Sequence, residues 1–171
     1  MNRDDIKLGV IHCSATKPSQ VVTAGMIDEW HRARGWSGLG YHCIIDRKGV
    51  ITEGRTIGFK RGAPGDMTIA QGAHVAGWNR GSIAICLVGG LDGRGRSIDV
   101  GTEPDRLFTS AQLSSLETAV EFYTSMFLGI RWIGHRDVFD TDGDGVASPG
   151  EWLKTCPGFD VAAFLAIRGL A

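Results

Sequence analysis

Alternating and continuous runs of apolar residues along the chain predict several short strands. Residues 6–13 (IKLGVIHC) alternate and predict a strand that ends at the polar His12. Residues 82–90 (SIAICLVGG) are almost continuously apolar and end in two glycines, which is typical of a central strand buried on both faces. Residues 130–135 (IRWIGH) predict a further strand that again ends in a histidine, His135.

Helices are predicted between these strands by apolar spacing and by capping residues. Residues 24–35 (AGMIDEWHRARG) follow a threonine and place acidic residues early and arginines late, as a helix dipole favours. Thr109 and Gln112 predict a capping box at the start of a helix that runs to about Leu128. The last helix is expected to begin near Asp160. The apolar positions expected for these last two helices include Leu113, Leu116, Phe122, Phe127, Phe164, Leu165 and Ile167.

A hairpin and two loops complete the pattern. Residues 41–47 and 49–55 predict a β-hairpin, whereas 56–77 and 91–105 are expected to be loops. Strands that alternate with helices predict an α/β fold, with a central mixed sheet of about five or six strands and helices on both faces. No repeat or domain boundary is evident, so residues 1–171 are expected to form a single domain.

Composition and charge fit an ordinary globular domain. The chain has 171 residues, of which 43% are hydrophobic and 22% charged. Its 18 basic and 19 acidic residues give a net charge of −1, which argues against nucleic acid as a partner. No apolar run is long enough for membrane insertion, and the charged N-terminus argues against a signal peptide. Synthesis in a cytoplasm is therefore expected. The protein is also expected to be a monomer.

Two histidines at strand ends are the first candidates for chemistry. His12 and His135 each end an apolar strand, where a side chain can leave the core and face a cleft. The same pattern is also typical of incidental polar residues, and no HExxH or CxxC motif identifies a zinc site. The four cysteines are too sparse for a disulfide scaffold, and Cys13, Cys43 and Cys86 are expected to be inert core residues within strands.

Six blocks of sequence, distributed over most of the chain, carry a family resemblance. They are VIHCSATKPSQ (10–20), WHRARGWSGLGYHCIIDRKG (30–49), AHVAGWNRGSIAICLVGG (73–90), FTSAQLSSL (108–116), IGHRDV (133–138) and KTCPGFDV (154–161). In this order they resemble the zinc-dependent N-acetylmuramoyl-L-alanine amidases of the type 2 amidase family. They are most similar to the amidase-type lysozymes of T-odd coliphages. The resemblance implies a fold shared with peptidoglycan recognition proteins.

The resemblance also implies a catalytic centre. By position, His12, His135 and Cys156 would bind one zinc ion, and Tyr41 and Lys154 match the remaining catalytic residues of the family. Two imidazoles and one thiolate leave a fourth position for water or substrate, as in catalytic rather than structural zinc sites. Because all five positions are intact, an active enzyme is implied. It would hydrolyse the amide between N-acetylmuramic acid and L-alanine in bacterial peptidoglycan.

Other polar residues in these blocks are candidates either for substrate contact or for packing. His74, Trp78 and Asn79 are expected to contact the substrate, although loop packing for His74 and core packing for Trp78 are alternatives. His42 is expected to point away from the catalytic tyrosine and to be buried and hydrogen-bonded. His31 is expected to be a surface or packing residue of its helix.

A calcium loop is predicted between the second and third zinc ligands. Residues 140–151 (DTDGDGVASPGE) match the spacing of a twelve-residue calcium loop. The predicted calcium ligands are Asp140, Asp142, Asp144, the Val146 carbonyl, Ser148 and Glu151. No flanking helix pair or partner loop is evident, so a solvated acidic turn is the alternative. If calcium binds, we expect it to order the segment that delivers Lys154 and Cys156. Outside the loop the chain has 15 acidic and 18 basic residues. This small excess of positive charge suits an anionic bacterial envelope.

The predicted function is that of a phage or prophage endolysin. Because the substrate lies outside the cytoplasm and no export signal is evident, passage through a holin-type membrane lesion is expected. A cytoplasmic amidase that recycles muropeptides is an alternative of the same class. A noncatalytic peptidoglycan-binding module and a calcium-regulated interaction protein are alternatives of different classes.

Overall fold

The computed structural model describes residues 1–59, 67–144 and 147–170. The strands are β1 (Leu8–Cys13), β2 (Cys43–Ile45), β3 (Ile51–Glu53), β4 (Ile57–Phe59), β5 (Met67–Ile69), β6 (Ser82–Leu87) and β7 (Arg131–Gly134). The α-helices are α1 (Ala24–Ala33), α2 (Ser110–Met126) and α3 (Val161–Ile167). Short 3₁₀ helices span Arg3–Asp5, Pro104–Arg106 and His135–Val138.

The main sheet has five strands in the order β3-β2-β6-β1-β7. Strand β1 is parallel to both β6 and β7, β2 is parallel to β6, and β3 is antiparallel to β2. This arrangement confirms the predicted mixed sheet and the predicted hairpin, which joins β2 to β3. It also places β1, which carries His12, between two neighbours that come much later in the chain.

The expectation that residues 56–77 form only a loop is wrong. Strands β4 and β5 lie in this range and pair as a small antiparallel sheet, with Ile57 opposite Ile69. Each strand has three residues, and of the two only β5 contributes buried side chains, from Met67 and Ile69. Strands this short leave almost no periodic pattern in the sequence, which explains why the prediction missed them.

Helices cover both faces of the main sheet, as predicted. On one face, Ile83 and Ile85 of β6 belong to the large core that contains the buried residues of α2 and α3. On the other face, Cys86 packs with Ile27 of α1. His12 alternates with Ile11, a residue of the large core, and therefore lies on the face opposite α2.

Capping and one buried glutamine fix α2 against the sheet. Thr109 and Gln112 form the predicted capping box, with N···O distances of 3.1 and 3.2 Å. The fully buried Gln112 amide also donates to the carbonyl oxygens of Ile45 and Val88, which lie at the ends of two strands. Phe122, which was expected on the apolar side of this helix, is exposed.

A glycine in β1 leaves room for a tryptophan ring from the neighbouring edge strand β7. Gly9 pairs with Trp132 of β7, and a Cβ atom on Gly9 would lie 2.3 Å from the Trp132 ring. The indole Nε1 donates to Thr124 of α2 at 2.9 Å, so the ring bridges sheet and helix.

Among the helices in the described part of the chain, none combines the length and apolarity needed to cross a bilayer.

Candidate active site

The structure brings the three predicted zinc ligands together on one side of the sheet. His12 lies near the end of β1, His135 directly follows β7, and Cys156 lies in the segment before α3. All three are buried, and one potential ligand atom from each lies within 4.8 Å of the other two. The rings of His12 and His135 have centroids 4.5 Å apart, and His12 Nδ1 is 4.0 Å from the Cys156 sulfur.

Burial keeps the histidines of this centre neutral. It lowers the pKa of His12 well below the usual range, with a further contribution from the neighbouring His135. Burial, together with the charge of Lys154, lowers the pKa of His135 to about 4. Neutral imidazoles at physiological pH have a free nitrogen lone pair, which is the form that binds a metal ion.

Backbone hydrogen bonds hold Cys156 at the centre. The Arg136 N–H donates to the Cys156 carbonyl oxygen at 2.8 Å, and the Cys13 N–H donates to the Cys156 sulfur at 3.2 Å. Contact with the Cys13 side chain and then burial raise the pKa of the Cys156 thiol, so a cation is needed to hold it as a thiolate near neutral pH. Cys13 itself is half-buried beside this sulfur, rather than the inert core residue expected from the sequence.

The three predicted zinc ligands line a cleft of about 270 Å³. Tyr41 lies at its wall, 5.2 Å from the His12 ring between centroids, and burial raises the pKa of its phenol well above the usual range. The phenol therefore remains protonated and available as a donor. Lys154, which is exposed, also lines this cleft. The two predicted catalytic residues thus flank the same three ligands.

The cleft has further wall residues that sequence reasoning assigned no functional role. They are His31, Arg34 and Trp36, contributed by the end of α1 and the segment after it. His31 is buried, as a packing residue would be, and its Nδ1 accepts from the Gly40 N–H at 2.9 Å. Its ring lies 5.3 Å from that of Tyr41, so it packs against the predicted catalytic tyrosine. The spacing of three residues between His31 and Arg34 is the signal that places both on one helix face.

The three predicted substrate contacts occupy different environments. His74 is buried in the cleft wall, and its two ring nitrogens lie 3.1 Å from His12 Nε2 and 3.2 Å from Ser82 Oγ. The Asn79 side-chain oxygen accepts from the N–H groups of His74 and Val75, and therefore shapes this turn. Trp78 is 51% exposed. Direct contact of these residues with a substrate stays a prediction.

His42 is buried and bonded, as expected. Its Nε2 donates to the Ala70 carbonyl oxygen at 2.9 Å, and its Nδ1 accepts from the Ala84 N–H at 3.1 Å. Burial lowers the pKa of His42 to about 4. The residue therefore connects β6 to the chain after β5 without touching the three ligands.

In the described part of the predicted calcium loop, the side chain of the last residue, Glu151, is hydrogen-bonded to residues earlier in the loop. Carboxylate oxygens within 4.8 Å of one another come from Asp140, Asp142 and Asp144. The Glu151 carboxylate accepts from the backbone N–H groups of Ser148 and Thr141 at 2.7 and 2.6 Å. These hydrogen bonds lower the pKa of Glu151 to about 2. Val146, the predicted carbonyl ligand, lies outside the described residues.

The described part of the chain also forms a larger cleft, of about 540 Å³. Arg136 and Trp152 line it, together with Asp99 and Asp137. None of the three predicted zinc ligands, nor Tyr41 or Lys154, lines this cleft. The predicted chemistry therefore belongs to the smaller cleft.

Comparisons with known proteins agree with this geometry. The family model described as N-acetylmuramoyl-L-alanine amidase matches residues 2–159. The chain is 36% identical over 151 residues to the endolysin of Enterobacteria phage T3 and equally to that of Escherichia phage T7, covering 88% of this chain and 80% of each relative.

Solved structures show the same fold. The chain is similar to N-acetylmuramoyl-L-alanine amidase LysC from Clostridium intestinale URNW, with a TM-score of 0.66 and 22% identity, over 99% of this chain and 89% of that one. It is also similar to Drosophila PGRP-LB, with a TM-score of 0.60 and 22% identity, over 94% and 79% of the two chains. The three predicted ligands thus lie in a fold that amidases and peptidoglycan recognition proteins share.

Proposed function

Because the chain belongs to the N-acetylmuramoyl-L-alanine amidase family and is an amidase that cleaves peptidoglycan, we propose that it does so with one zinc ion held by His12, His135 and Cys156. The observation that carries the proposal is the convergence of these three buried side chains at the wall of one cleft. Two neutral imidazoles and a sulfur supply the donor set of a catalytic zinc site. When bound, zinc supplies a water of lowered pKa and polarises the scissile carbonyl.

Two residues of the cleft act on the substrate in this proposal. Lys154 is a cation beside the ligand cluster, which suits it to stabilise the negative charge that develops on the carbonyl oxygen. Tyr41 keeps its phenolic proton because burial raises its pKa, so it donates a hydrogen bond to substrate or to the attacking water. His74, Trp78 and Asn79 are proposed to contact the glycan or peptide from the neighbouring turn.

We place the reaction in host lysis, since the relatives in phages T3 and T7 are endolysins. The chain is proposed to act as a monomer on the cell wall, without inserting into the membrane, after passing through a holin-type lesion. Expression of the protein in bacteria with and without a holin tests this route. Lysis only when both are present is expected, and lysis by the protein alone would contradict the holin route.

The decisive experiment identifies the bond that is cut. Purified protein is incubated with bacterial sacculi, with and without a zinc chelator, and new N-terminal alanine amines are compared with new reducing sugars. We expect alanine amines that disappear on chelation and return when zinc is added. New reducing ends without amines would overturn the amidase assignment, and activity that survives complete zinc removal would overturn the cofactor.

Two cysteine variants and a second substrate sharpen this assay. Cys156→Ala is expected to lose zinc and activity, whereas Cys43→Ala, a buried core cysteine outside the cleft, is expected to keep both. Soluble anhydro-muropeptides serve as the second substrate. Cleavage of these without cleavage of sacculi would favour a recycling amidase, and stoichiometric zinc without any cleavage would favour a binding module.

We also propose that residues 140–151 form a calcium loop within a single amidase domain. The twelve-residue spacing supports this, as does the proximity of the carboxylates of Asp140, Asp142 and Asp144. Ser148 and Glu151 complete the described ligands, and the Val146 carbonyl completes the motif. Because Glu151 precedes Lys154 by three residues, an ordered loop would also position the segment that carries Lys154 and Cys156.

The calcium proposal is tested with a charge-matched pair of variants. Asp140→Asn with Asp142→Asn is expected to abolish calcium binding measured by titration calorimetry. Asp105→Asn with Glu121→Gln removes two exposed charges outside the loop and is expected to leave binding unchanged. If the loop variant kept wild-type thermal stability and wall-degrading activity at every calcium concentration, the link between loop and catalytic centre would be wrong.

A further inference from the structure

A chain of hydrogen bonds connects His12 to the protein interior. His12 Nε2 lies 3.1 Å from His74 Nδ1, and His74 Nε2 lies 3.2 Å from Ser82 Oγ. Ser82 Oγ in turn lies 2.6 Å from the carbonyl oxygen of Trp78. The side chains of His12, His74 and Ser82 are all buried, so these polar groups satisfy one another within the protein.

The direction of each hydrogen bond follows from the Trp78 carbonyl oxygen, the last group in this series of hydrogen bonds. A carbonyl oxygen only accepts, so the Ser82 hydroxyl donates to Trp78 and presents a lone pair to His74. His74 Nε2 must then carry a proton. A neutral imidazole carries a proton on one ring nitrogen only, so with Nε2 protonated the Nδ1 of the buried His74 ring is an acceptor. His12 Nε2 is therefore the donor to His74.

This arrangement determines which nitrogen of His12 is free. A neutral His12 that carries its proton on Nε2 has an unprotonated Nδ1. Nδ1 is the atom that lies 4.0 Å from the Cys156 sulfur, on the side of the ligand cluster. The hydrogen-bond chain thus leaves the lone pair of His12 directed where a metal ion would need it.

We propose that His74 and Ser82 are positioning residues, which fix the tautomer and ring orientation of His12 for metal binding. The inference rests on the proposed zinc site and deepens it, because His74 acts through His12 and both of its ring nitrogens are engaged within the protein. Partners that orient a metal-binding histidine typically contribute about 10- to 100-fold to metal affinity. Ser82 belongs to the same unit, although it lies at the beginning of β6 and lines no part of the cleft.

The tautomers are measured directly in the wild-type protein. In metal-free protein labelled with ¹⁵N-histidine, long-range ¹H–¹⁵N correlation spectra distinguish a proton on Nδ1 from one on Nε2. We expect His74 and His12 both to carry the proton on Nε2. A proton on Nδ1 of either residue would overturn the proposal. This measurement needs neither zinc nor activity, so it stands apart from the test of the amidase.

Variants then test the consequence for zinc affinity, measured by competition with a chromophoric chelator. His74→Leu removes the acceptor and is expected to weaken zinc binding about 10- to 100-fold. His74→Asn places an amide oxygen near the position of Nδ1 and is expected to recover most of the affinity. His42→Gln alters a buried histidine not bonded to any ligand and is expected to bind zinc like the wild type.

The outcomes separate positioning from a general packing role. Equal affinity losses in His74→Leu, His74→Asn and His42→Gln would contradict positioning, as would an unchanged affinity in His74→Leu. If His74→Leu does not fold, Ser82→Ala replaces it. That variant is expected to weaken zinc binding and to populate the Nδ1–H form of His74. A wild-type protein that binds no zinc would refute the proposed cofactor, while the tautomer assignment would be judged on the spectra alone.

Discussion

The guanidinium of Arg136 lies over the indole ring of Trp152, with 4.0 Å between Cζ and the ring centroid. Arg136 follows the proposed zinc ligand His135, and Trp152 follows Glu151, the last residue of the predicted calcium loop. The same guanidinium contacts Asp99 at 2.6 Å and Asp137 at 3.3 Å, and its side chain is almost fully buried. One cation therefore connects Trp152, directly after the predicted calcium loop, to the strand end that precedes His135.

Replacing this cation should loosen the catalytic centre. Arg136→Met keeps the aliphatic stem but leaves two acidic groups without their partner, and we expect a loss of about 2–3 kcal/mol in the free energy of unfolding. Denaturant titration measures this loss. Arg131→Met, an exposed arginine of the same cleft, is the control and should change stability by less than about 0.5 kcal/mol. Equal effects of both variants would show that the buried ion pairs are unimportant.

Tyr41 and Lys154 should affect turnover without affecting metal binding. Tyr41→Phe and Lys154→Met preserve side-chain size, so zinc stoichiometry should stay that of the wild type. Loss of a proton donor or of oxyanion stabilisation is expected to lower kcat by about 10²- to 10⁴-fold. Lys48→Met, in the exposed turn between β2 and β3, should keep full activity. Loss of zinc together with activity would assign these residues to the metal site instead.

His42 should make stability depend on pH between about 7 and 5. Its pKa is lowered from 6.5 to about 4, so the unfolded chain binds the proton more readily than the folded one. The stability due to the neutral ring is present above pH 6.5 and is lost as pH falls toward 4. We expect the wild type to lose about 2 kcal/mol more than His42→Gln between pH 7 and 5, by denaturant titration with chelator present. Parallel pH profiles would exclude this contribution.

Gly9 should tolerate no side chain while Trp132 is present. The Cβ of Gly9→Ala would overlap the indole ring, and such overpacking typically costs about 1–3 kcal/mol. The combined variant Gly9→Ala with Trp132→Leu should lose less free energy of unfolding than the two single variants lose together. The reason is that a leucine at position 132 leaves room for the added methyl group. Thermal unfolding of all four proteins measures this coupling, and strict additivity would show that the ring moves aside freely.

The larger elements were predictable because they carry strong local signals. The capping residues Thr109 and Gln112 marked the beginning of α2, and the apolar run of 82–90 marked the central strand β6. The prediction that Phe122 belongs to the apolar face of α2 was wrong, because this apolar residue lies outside the buried face of the helix. The buried apolar residues of that helix, at spacings of three and four, are Leu113, Leu116, Ala119, Val120 and Tyr123.

The candidate site was predictable only in part from local pattern. His12 and His135 ended apolar strands, but Cys156 had no local signal and was identified only through the family resemblance. The bond between His74 and His12 joins residues 62 positions apart, and no spacing rule reports such a contact. The wall formed by His31 and Trp36 depends on how α1 packs against the sheet, which is a tertiary property.

The position of β1 between β6 and β7 bears on how the protein is made. β1 is the first strand to be synthesised, yet its two partners span residues 82–87 and 131–134. His12 is also synthesised 144 residues before Cys156. At translation rates of about 5–20 residues per second, the two ends of the metal centre are made roughly 7 to 30 seconds apart. If the proposed zinc site is the catalytic centre, a nascent chain has no hydrolytic competence until Cys156 has been added, and products that end before this residue are harmless to the cell wall.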